Sequence, residues 1–594
     1  MTTAQPVPTS STGVTFTMGS KGLATLIWNG QNFRYPGAPS LVNIFGSDPN
    51  DPNSVTGLTT TPISTVTTPA GDVTQTFDWG TILTQYRAIG DKLTIDVKIQ
   101  NNSGLTIYRY WFYSMGLLLP AAPLNPTNVA RFNLDAPSSI YWDYTSGVVD
   151  LVNEDVTRPM TLGFWQAENP PNTKWFAMLN VDPGANLNPN WPAVIRPIAP
   201  GGTDTINTSI RFGGPGVPET QLAGDIYTLY STTYPRAFTA PAPLKPIARL
   251  SLSGRFRPTF PTNPRGWFND SSVDITTSQG LAKFQQALLS SADSSIAEMT
   301  RVGALGGIIW DIEGQQLDLS YIGDPTQAEI LAPELIGALD AYVAKFKAAG
   351  FPIGFTLRPQ VFNVEIGVIN VAGTKVTWVS GAKFQSSWAG DLAGGELAFG
   401  TSNYPIASVE SPVSLTLHVD AGNASRVQYF YGQQINTPDP FEAMQSKIQY
   451  AYVRWGATLF YVDSNLYYNG DLTPADVFGR LRAQYPDVYI FPEWKSTLHY
   501  AYTYPWTDAI NGYIFPDAQT LLIYPDAAGL IRVPADQQIA AVQDQLTQAV
   551  RQGSVLLFDG WYPHSANDVV IQIYKDAAAG RDRRGDPILR KRIH

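Results

Sequence analysis

Short apolar runs that end on a polar or charged side chain recur along the second half of this sequence. Five such runs are present, at Gly307–Gly314, Pro352–Gln360, Thr458–Asn465, Val488–Trp494 and Ser554–Trp561. Short apolar stretches bounded by turn residues are typical of strands that are buried on both faces, as in a parallel sheet. Because parallel strands end at the same edge of a sheet, the polar residues should gather there. The pattern predicts a (β/α) barrel whose mouth is mainly acidic.

The segments between these runs carry helical spacing of apolar residues. Helices are predicted at 279–299, 333–349, 440–456, 473–485, 536–552 and 569–579, and the helix at 473–485 has Thr473 as its predicted N-cap. A first barrel strand is predicted at 247–253 and a sixth at 510–516. Seven strands are thereby assigned from the sequence, and the eighth is not.

Residues 1–240 have a different pattern, because short β-type runs alternate there with Pro, Gly, Asn and Asp turns. The run Lys92–Ile99 alternates apolar and polar residues, as a half-exposed antiparallel strand does, and Leu23–Trp28 is a second strand candidate. Many such strands at short spacing indicate a β-sandwich. The proline-rich segment 235–246 is a predicted linker to a barrel domain at 247–361 and 426–594.

Residues 362–425 interrupt the barrel pattern with a segment rich in Val, Thr, Ser and Gly and without a helical period. Strands are predicted in it at Lys375–Gly381 and Ser414–Val419. The text VTWVSGAKFQSSW … YPIASVESPVSLTL resembles small β-modules of phage tail proteins. That resemblance implies a surface-recognition module and not an activity. The predicted fold is therefore an N-terminal antiparallel β-sandwich followed by a (β/α)8, TIM-type barrel that carries an inserted small β-domain.

Composition excludes several classes of function. The formal net charge of −10 and the pI near 5.0 argue against a nucleic-acid footprint, and the basic tail at 581–594 is a short, solvated end. Cysteine is absent, which excludes disulfides and thiolate chemistry, and four scattered histidines do not form a multi-histidine zinc site. We therefore predict neither a cofactor nor a metal.

No apolar run approaches the ~20 residues that span a bilayer, so no membrane partner is predicted. The first eleven residues are polar and lack the apolar core of a signal peptide. We expect either a protein that is not exported by that route or a mature secreted form with a new start codon.

Two pairs of carboxylates are candidates for catalysis. Glycoside hydrolysis needs two carboxyl groups, ~5 Å apart in retaining enzymes and roughly 6.5–9.5 Å apart in inverting ones. Asp463 and Glu493 end consecutive runs, and we rank them first, with Asp463 as nucleophile or base and Glu493 as acid. Asp311 and Glu313 are the second pair, because residues two apart on a strand point to the same side. They could instead bind sugar hydroxyls or a cation.

Other side chains beside these acids are candidates for binding a carbohydrate. They are Trp310, Arg358, Gln360, Tyr461, Trp494, Asp559, Trp561 and His564. Aromatic rings stack on sugars, although each of these rings could equally pack in the core. An arginine such as Arg358 can hold a carboxylate in its ionised state or bind an acidic sugar.

A β-sandwich followed by a barrel, with Tyr461-Val462-Asp463-Ser464 at the end of its fourth strand, resembles the α-glucosidase and α-galactosidase type of glycoside hydrolase. The resemblance implies that Asp463 is the nucleophile. It also implies an acid after strand six, where this chain has Asp517, so Glu493 departs from the pattern. The sequence therefore predicts a glycoside hydrolase acting on a poly- or oligosaccharide. The alternatives are a non-catalytic carbohydrate-binding or phage-tail-type structural protein and, third, a lyase, for which only Arg358 argues.

Overall fold

The computed structural model describes most of the chain, in two compact units. The first unit is formed by residues 1–236 with the segments 496–498 and 522–525, and the second by the remaining residues. The described residues are 13–35, 39–118, 139–144, 146–158, 161–166, 174–181, 196–238, 244–252, 260, 262–263, 265–314, 322–389, 396–400, 402–435, 439–465, 472–512, 514–534 and 538–580.

The first unit is built from antiparallel strands. Its strands are β1 Thr15–Gly19, β2 Gly22–Trp28, β3 Gln31–Asn32, β4 Arg34–Tyr35, β5 Ser40–Asp48, β6 Asp51–Gly57, β7 Ser64–Thr67, β8 Asp72–Thr76, β9 Gly80–Ile89, β10 Lys92–Asn101, β11 Thr106–Leu118, β12 Ser139–Tyr144, β13 Gly147–Asn153, β14 Thr161–Gln166, β15 Lys174–Val181 and β16 Thr203–Gly213. They form sheets in the orders β1-β2-β3, β12-β13-β16-β10-β9-β8-β7 and β14-β15-β11-β5-β6, with β4 paired to β11. Helices α1 Glu219–Leu222 and α2 Gly224–Thr233 follow.

Alternation of apolar and polar residues explains how these sheets pack. In β10 the side chains of Leu93, Ile95 and Val97 are buried, whereas those between them are only partly covered. One hydrophobic core joins such residues from all three sheets. The strands predicted at 23–28 and 92–99 are confirmed as β2 and β10.

The second unit begins with alternating parallel strands and helices. They are β17 Ile247–Ser251, α3 Ser278–Val302, β18 Gly306–Trp310, α4 Ala328–Leu331, α5 Ile336–Ala348 and β19 Ile353–Leu357. Helix α3 begins where the Thr277 hydroxyl accepts a hydrogen bond from the N–H of Gly280, and it ends at Gly303, whose φ of 76° favours glycine. The first strand prediction at 247–253 reaches into residues outside the described part, which resumes at 260.

A small antiparallel barrel follows β19. Its strands are β20 Val361–Ala372, β21 Lys375–Gly381, β22 Glu396–Phe399, β23 Ser402–Ser411, β24 Ser414–Leu417 and β25 Asn423–Ile435. They close in the order β20-β21-β24-β23-β22-β25 around their own core, in which Trp388 stacks on Tyr431. The first and last strands pair from Val361 with Ile435 to Ala372 with Asn423, so β25 extends past the predicted boundary at residue 425. We call residues 361–435 the inserted module.

The parallel strands then resume. The elements are α6 Phe441–Trp455, β26 Leu459–Val462, α7 Ala475–Gln484, β27 Tyr489–Pro492, α8 His499–Tyr502, β28 Trp506–Asp508, α9 Ala518–Ile523, β29 Leu530–Arg532, α10 Gln538–Ala541, α11 Gln543–Arg551, β30 Val555–Asp559 and α12 Ser565–Ala579. Eight parallel strands form one sheet in the order β27-β26-β19-β18-β17-β30-β29-β28, which is the strand sequence of a near-closed barrel. Among the helices described, none has the length and apolar character needed to cross a membrane.

Three local predictions were wrong. The sixth strand is Trp506–Asp508 and not 510–516, where a 3₁₀ turn at Ala509–Asn511 ends on Gly512 with a φ of 77°. The predicted helix at 536–552 is divided into α10 and α11. Thr473 does not cap α7, because its hydroxyl donates to the carbonyl of Asn465 at 3.0 Å.

The parallel strands separate two layers of the core. Side chains that point outward, such as Ile309 and Phe355, pack in one cluster with the helices. Side chains that point inward, such as Ile308, Leu459 and Leu530, form a separate cluster inside the sheet. Because strand residues alternate between faces, the next inward residue at each carboxyl end lies at the mouth of this interior.

A glycine pair tests this packing. In β19 a Cβ added to Gly354 would lie 1.3 Å from the carbonyl oxygen of Leu459, whereas one added to Gly337 in α5 would meet nothing within 4 Å. We expect Gly354→Ala to lower the free energy of unfolding by about 3 kcal/mol or more through overpacking. Gly337→Ala should change it by less than about 1 kcal/mol, in the stabilising direction. Urea unfolding of both variants would measure this, and equal stabilities would contradict the described strand contact.

Candidate active site

The mouth of the parallel sheet is lined by inward residues at or near the carboxyl ends of its strands. In strand order along the sheet they are Glu493, Asp463, Arg358, Trp310, Arg249, Asp559, Arg532 and Asp508. Below the charged side chains, aromatic rings close the interior, with Trp310 and Tyr461 at a centroid distance of 4.9 Å and Tyr461 and Trp506 at 5.8 Å. The arrangement gives an apolar base with charged groups above it.

Asp463 is held by two donors. Arg358 Nε donates to its Oδ2 at 2.9 Å and the Ser464 hydroxyl donates to the same oxygen at 2.8 Å. The backbone N–H of Asp463 donates to the carbonyl of Leu357 at 2.8 Å, which fixes the residue to the end of β19. The carboxylate is buried, with 7% of the residue exposed, so its orientation is set by these contacts.

Ser464 connects Asp463 to Glu493. Its N–H donates to Glu493 Oε2 at 2.9 Å, and its carbonyl accepts from Gln360 Nε2 at 3.0 Å. The residue has a φ of 47°, in the left-handed region that side-chain-bearing residues rarely adopt. Such strain persists only where the surroundings hold it, and it is frequent at functional sites. Through one serine, the ends of β19, β26 and β27 are joined.

Trp494 follows Glu493, and its backbone is held in place by two hydrogen bonds. Buried Asn465 accepts from the N–H of Trp494 at 2.6 Å and donates to its carbonyl at 2.8 Å. The side chain of Trp494 is nevertheless half exposed. A rigid backbone with an exposed ring suits stacking on a sugar.

Two further ion pairs lie at the mouth. Arg249 Nε is 2.8 Å from Asp559 Oδ1, and Arg249 also lies over the ring of Trp561 at 5.0 Å. Arg532 is 3.8 Å from Asp508 on the neighbouring strand. Beside them, Lys495 donates to the carbonyl of Trp506 at 2.8 Å.

Sequence reasoning missed several of these residues: Arg249, Lys495, Trp506, Asp508 and Arg532. Arg249 lies in a predicted strand, where its inward position could have been found from the alternation with Ala248 and Leu250. The others belong to strands of three residues or to the turn after β27, and such short segments carry no periodic signal.

Asp311 and Glu313 do not lie on one face of a strand, as the sequence suggested. Strand β18 ends at Trp310, and Asp311 has a φ of 60° in a turn closed by a hydrogen bond from the N–H of Gly314. Glu313 turns toward the loop before α4, where its Oε1 accepts from Gly323 at 2.7 Å and Asp324 at 3.3 Å. The argument that both share one face of a strand therefore does not apply.

A buried lysine supports the end of β19 from behind. Lys447 Nζ donates to the carbonyls of Arg358 at 2.9 Å and Gln360 at 2.6 Å, and it lies 3.9 Å from Asp324. Burial lowers the pKa of Lys447. This contact fixes the backbone that presents Arg358 and Gln360.

Two remaining candidates have local roles in the structure. His564 accepts a hydrogen bond from the N–H of Ala566 at 3.1 Å and caps α12. Asp517 accepts from the N–H of Thr520 at 2.8 Å and is exposed. In the part of the chain that the structure describes, no group of three or more His, Asp or Glu side chains could hold a metal ion.

Of the comparisons with known proteins, the one with solved structures found similar folds. No family model and no curated protein match this sequence. Among solved structures, the alpha-N-acetylgalactosaminidase NagBb from Bifidobacterium bifidum is similar at a TM-score of 0.50 in its Gal-NHAc-DNJ complex, with 10% identity over 96% of this chain and 92% of that one. Its GalNAc complex gives a TM-score of 0.48 at the same identity and coverage. The alpha-galactosidase from Lactobacillus brevis gives 0.38, with 10% identity over 93% and 72% of the two chains.

At this identity the similarity concerns the fold alone. The solved structures are of glycoside hydrolases, and the similarity extends over nearly the full length of this chain. None of these comparisons supports the resemblance of the inserted module to phage tail proteins.

Glu313 makes stability depend on pH. Burial raises its pKa to about 7, from an ordinary value of 4.5. Between these values the native state holds a proton that the unfolded chain has lost, so the free energy of unfolding falls as the pH rises from 4.5 to 7. The cost reaches up to about 3 kcal/mol above pH 7.

Replacing Glu313 with glutamine tests this linkage. Glu313→Gln keeps an oxygen for the N–H of Gly323 and cannot ionise. We expect this variant to be more stable than the wild type at pH 8, and the difference to shrink toward zero near pH 4. Urea unfolding at both pH values would measure it, and a difference independent of pH would contradict the role of ionisation.

Proposed function

We propose that this chain is a glycoside hydrolase that cleaves a poly- or oligosaccharide with carboxyl groups at the mouth of its parallel sheet. The observation that carries the proposal is the connected group of Arg358, Asp463, Ser464 and Glu493. Two carboxyl groups held together above an apolar, aromatic base are what glycosidic bond cleavage requires. In this proposal the parallel sheet is a closed TIM-type barrel, the first unit is a β-sandwich, and no cofactor takes part.

Asp463 has the surroundings of a nucleophile or base. The guanidinium of Arg358 and the hydroxyl of Ser464 both donate to Oδ2, which orients the group and leaves Oδ1 for a sugar or water. The residue follows the fourth strand of the sheet in chain order, and Trp310 and Tyr461 lie beneath it. In the substrate complex, these rings would form the base under the reacting sugar.

Two residues compete for the role of the acid. Glu493 is joined to Asp463 through Ser464, which favours a short separation and a retaining reaction. Asp508 ends the sixth strand, and it follows Trp506 by two residues as Asp463 follows Tyr461. The ring centroids of Trp506 and Tyr461 are 5.8 Å apart, so in this proposal Asp508 and Asp463, each the next inward residue, point toward the same space. We propose Glu493 as the acid and keep Asp508 as the second candidate.

The remaining candidates have subordinate roles in this proposal. Trp494 offers an exposed ring to a sugar, and Trp561 does so beside the Arg249–Asp559 pair. Gln360 holds Ser464. Asp311 and Glu313 would act in shaping the loops around the mouth, and His564 in capping α12.

Removal of the Asp463 charge should abolish hydrolysis. The wild type is first screened on α- and β-linked pyranosides and furanosides, beginning with α-linked galactose and N-acetylgalactosamine. Asp463→Asn should then lower kcat by at least about 10²–10⁴, since loss of a nucleophile costs no less than loss of an acid or base. Asp476→Asn, an exposed change on α7, is the matched control and should keep full activity.

Thermal unfolding should accompany this comparison, because Asp463→Asn also removes the counter-charge of Arg358. Because the pair is largely buried, a stability loss of several kcal/mol is expected, and the melting curve shows whether the variant is still folded at the assay temperature of 25 °C. If Asp463→Asn keeps more than about a tenth of the activity, Asp463 is structural. If the wild type cleaves none of these glycans and binds some of them, the chain is a carbohydrate-binding protein.

Leaving-group dependence distinguishes the two candidate acids. A variant without its acid should lose about 10²–10⁴ in rate on a sugar leaving group, yet lose little on a dinitrophenyl glycoside, whose leaving group needs no proton. We expect this pattern for Glu493→Gln and not for Asp508→Asn. The opposite pattern would assign the acid to Asp508, and a uniform loss on both substrates would exclude the variant residue from that role.

A further inference from the structure

Cations lie at the mouth beside its four carboxylates, although a neutral sugar needs no cation to bind it. Three arginines and a lysine lie there, each on or shortly after a different one of four strands of the sheet: Arg249, Arg358, Lys495 and Arg532. Carboxylates and amides can bind the hydroxyl groups of a neutral sugar by hydrogen bonds, and aromatic rings can stack on its apolar face. Four cations at one site therefore call for an explanation of their own.

Arg532 differs from the other two arginines in its contacts. The pairs of Arg358 with Asp463 and of Arg249 with Asp559 have distances of 2.9 and 2.8 Å. Arg532 approaches Asp508 only to 3.8 Å, which is too long for a hydrogen bond. Within the part of the chain that the structure describes, Asp508 is the one carboxylate within 4 Å of Arg532. No described group there forms a hydrogen bond with the guanidinium of Arg532.

The side chain of Arg532 points toward the interior of the sheet and is partly exposed to solvent. It follows inward-pointing Leu530 by two residues, and in the sheet it lies level with Asp508 on one side and Leu557 on the other. Its side chain is 37% exposed, compared with 14% for Arg358 and 22% for Arg249. A guanidinium that points inward and is partly exposed offers several N–H donors to a ligand that enters the mouth.

Two other cations, Arg249 and Lys495, add to the positive charge around Arg532. Burial lowers the pKa of Arg249, and the positive charge of Arg532 lowers it further, against the opposing effect of Asp559. Lys495 adds a third positive charge beside β28, where it bonds the carbonyl of Trp506. An anion between these groups would reduce the repulsion among them and would be bound by a planar donor that fits carboxylate and sulfate oxygens.

We propose that the glycan bound at this mouth carries an anionic substituent, a carboxylate or a sulfate, and that Arg532 binds it. The inference takes from the proposed function only that the ligand is a glycan, and it holds whether or not the bond is cleaved. Arg532 is then a residue that determines specificity, separate from the Asp463 and Glu493 pair.

The test compares sugars that differ only in the charged group. Galacturonate with galactose, glucuronate with glucose, and galactose 6-sulfate with galactose are titrated into the full-length protein by calorimetry. We expect one charged sugar to bind about tenfold or more tightly than its neutral partner, as hydrogen bonds between charged groups allow. Arg532→Met should remove the preference, and Arg532→Lys should keep part of it.

Two controls make the result specific. Arg480→Met changes an arginine on α7, which pairs with Asp439 at 2.7 Å, and it should leave the preference intact. Inorganic sulfate alone should bind more weakly than a charged sugar, because it lacks the ring that the aromatic residues contact. Equal affinity for charged and neutral sugars in the wild type, an unchanged preference in Arg532→Met, or sulfate binding as tight as that of the charged sugar would each overturn the proposal. Since binding is measured, an inactive protein leaves this test valid.

Discussion

The alternation of side chains along eight short parallel strands determines the rest of this structure. Each strand supplies only two or three inward residues, so the interior has room for one apolar layer before the mouth begins. Charged side chains at the next inward position of each strand are therefore held close to one another. They are tolerated because each arginine faces an aspartate on an adjacent strand, as Arg358 faces Asp463 and Arg249 faces Asp559. Partly buried charges without such partners would cost several kcal/mol each.

The sequence predicted the elements whose signal is local. Runs of four or five apolar residues before a carboxylate marked β18, β26, β27 and β30, and the spacing of apolar residues recovered helices α3, α5, α6, α7 and α12. The inserted module was recognised because its β-type composition breaks the helical period. Chain order alone predicted Asp463 and Glu493 at neighbouring strand ends. In the structure, both carboxylates accept hydrogen bonds from Ser464.

What the sequence did not predict depends on contacts between distant residues or on segments too short to show a period. Strands β28 and β29 have three residues each, so Asp508 and Arg532 were assigned to no strand end. Asp311 and Glu313 were paired by strand geometry, but the left-handed backbone of Asp311 ends the strand one residue earlier. The position of Glu313 is set by the hydrogen bond that its Oε1 accepts from the N–H of Gly323. These residues are ten apart in the chain, so no local sequence pattern predicts the contact.

The inserted module departs from the sheet at a position that matters for the site. Its first strand begins at Val361, directly after Arg358 and Gln360, so one short stretch of backbone serves both the mouth and the module. Lys447 holds that stretch by binding two of its carbonyls, and Gln327 reaches the carbonyl of Phe362 at 3.5 Å. Because Arg358 orients Asp463 and Gln360 orients Ser464, a shift at the root of the module would be transmitted to both carboxylates through two side chains. Lys447 thereby holds the backbone at the root of the module in place, and these two carbonyls, with Asp324 at 3.9 Å, are the partners that surround its buried charge.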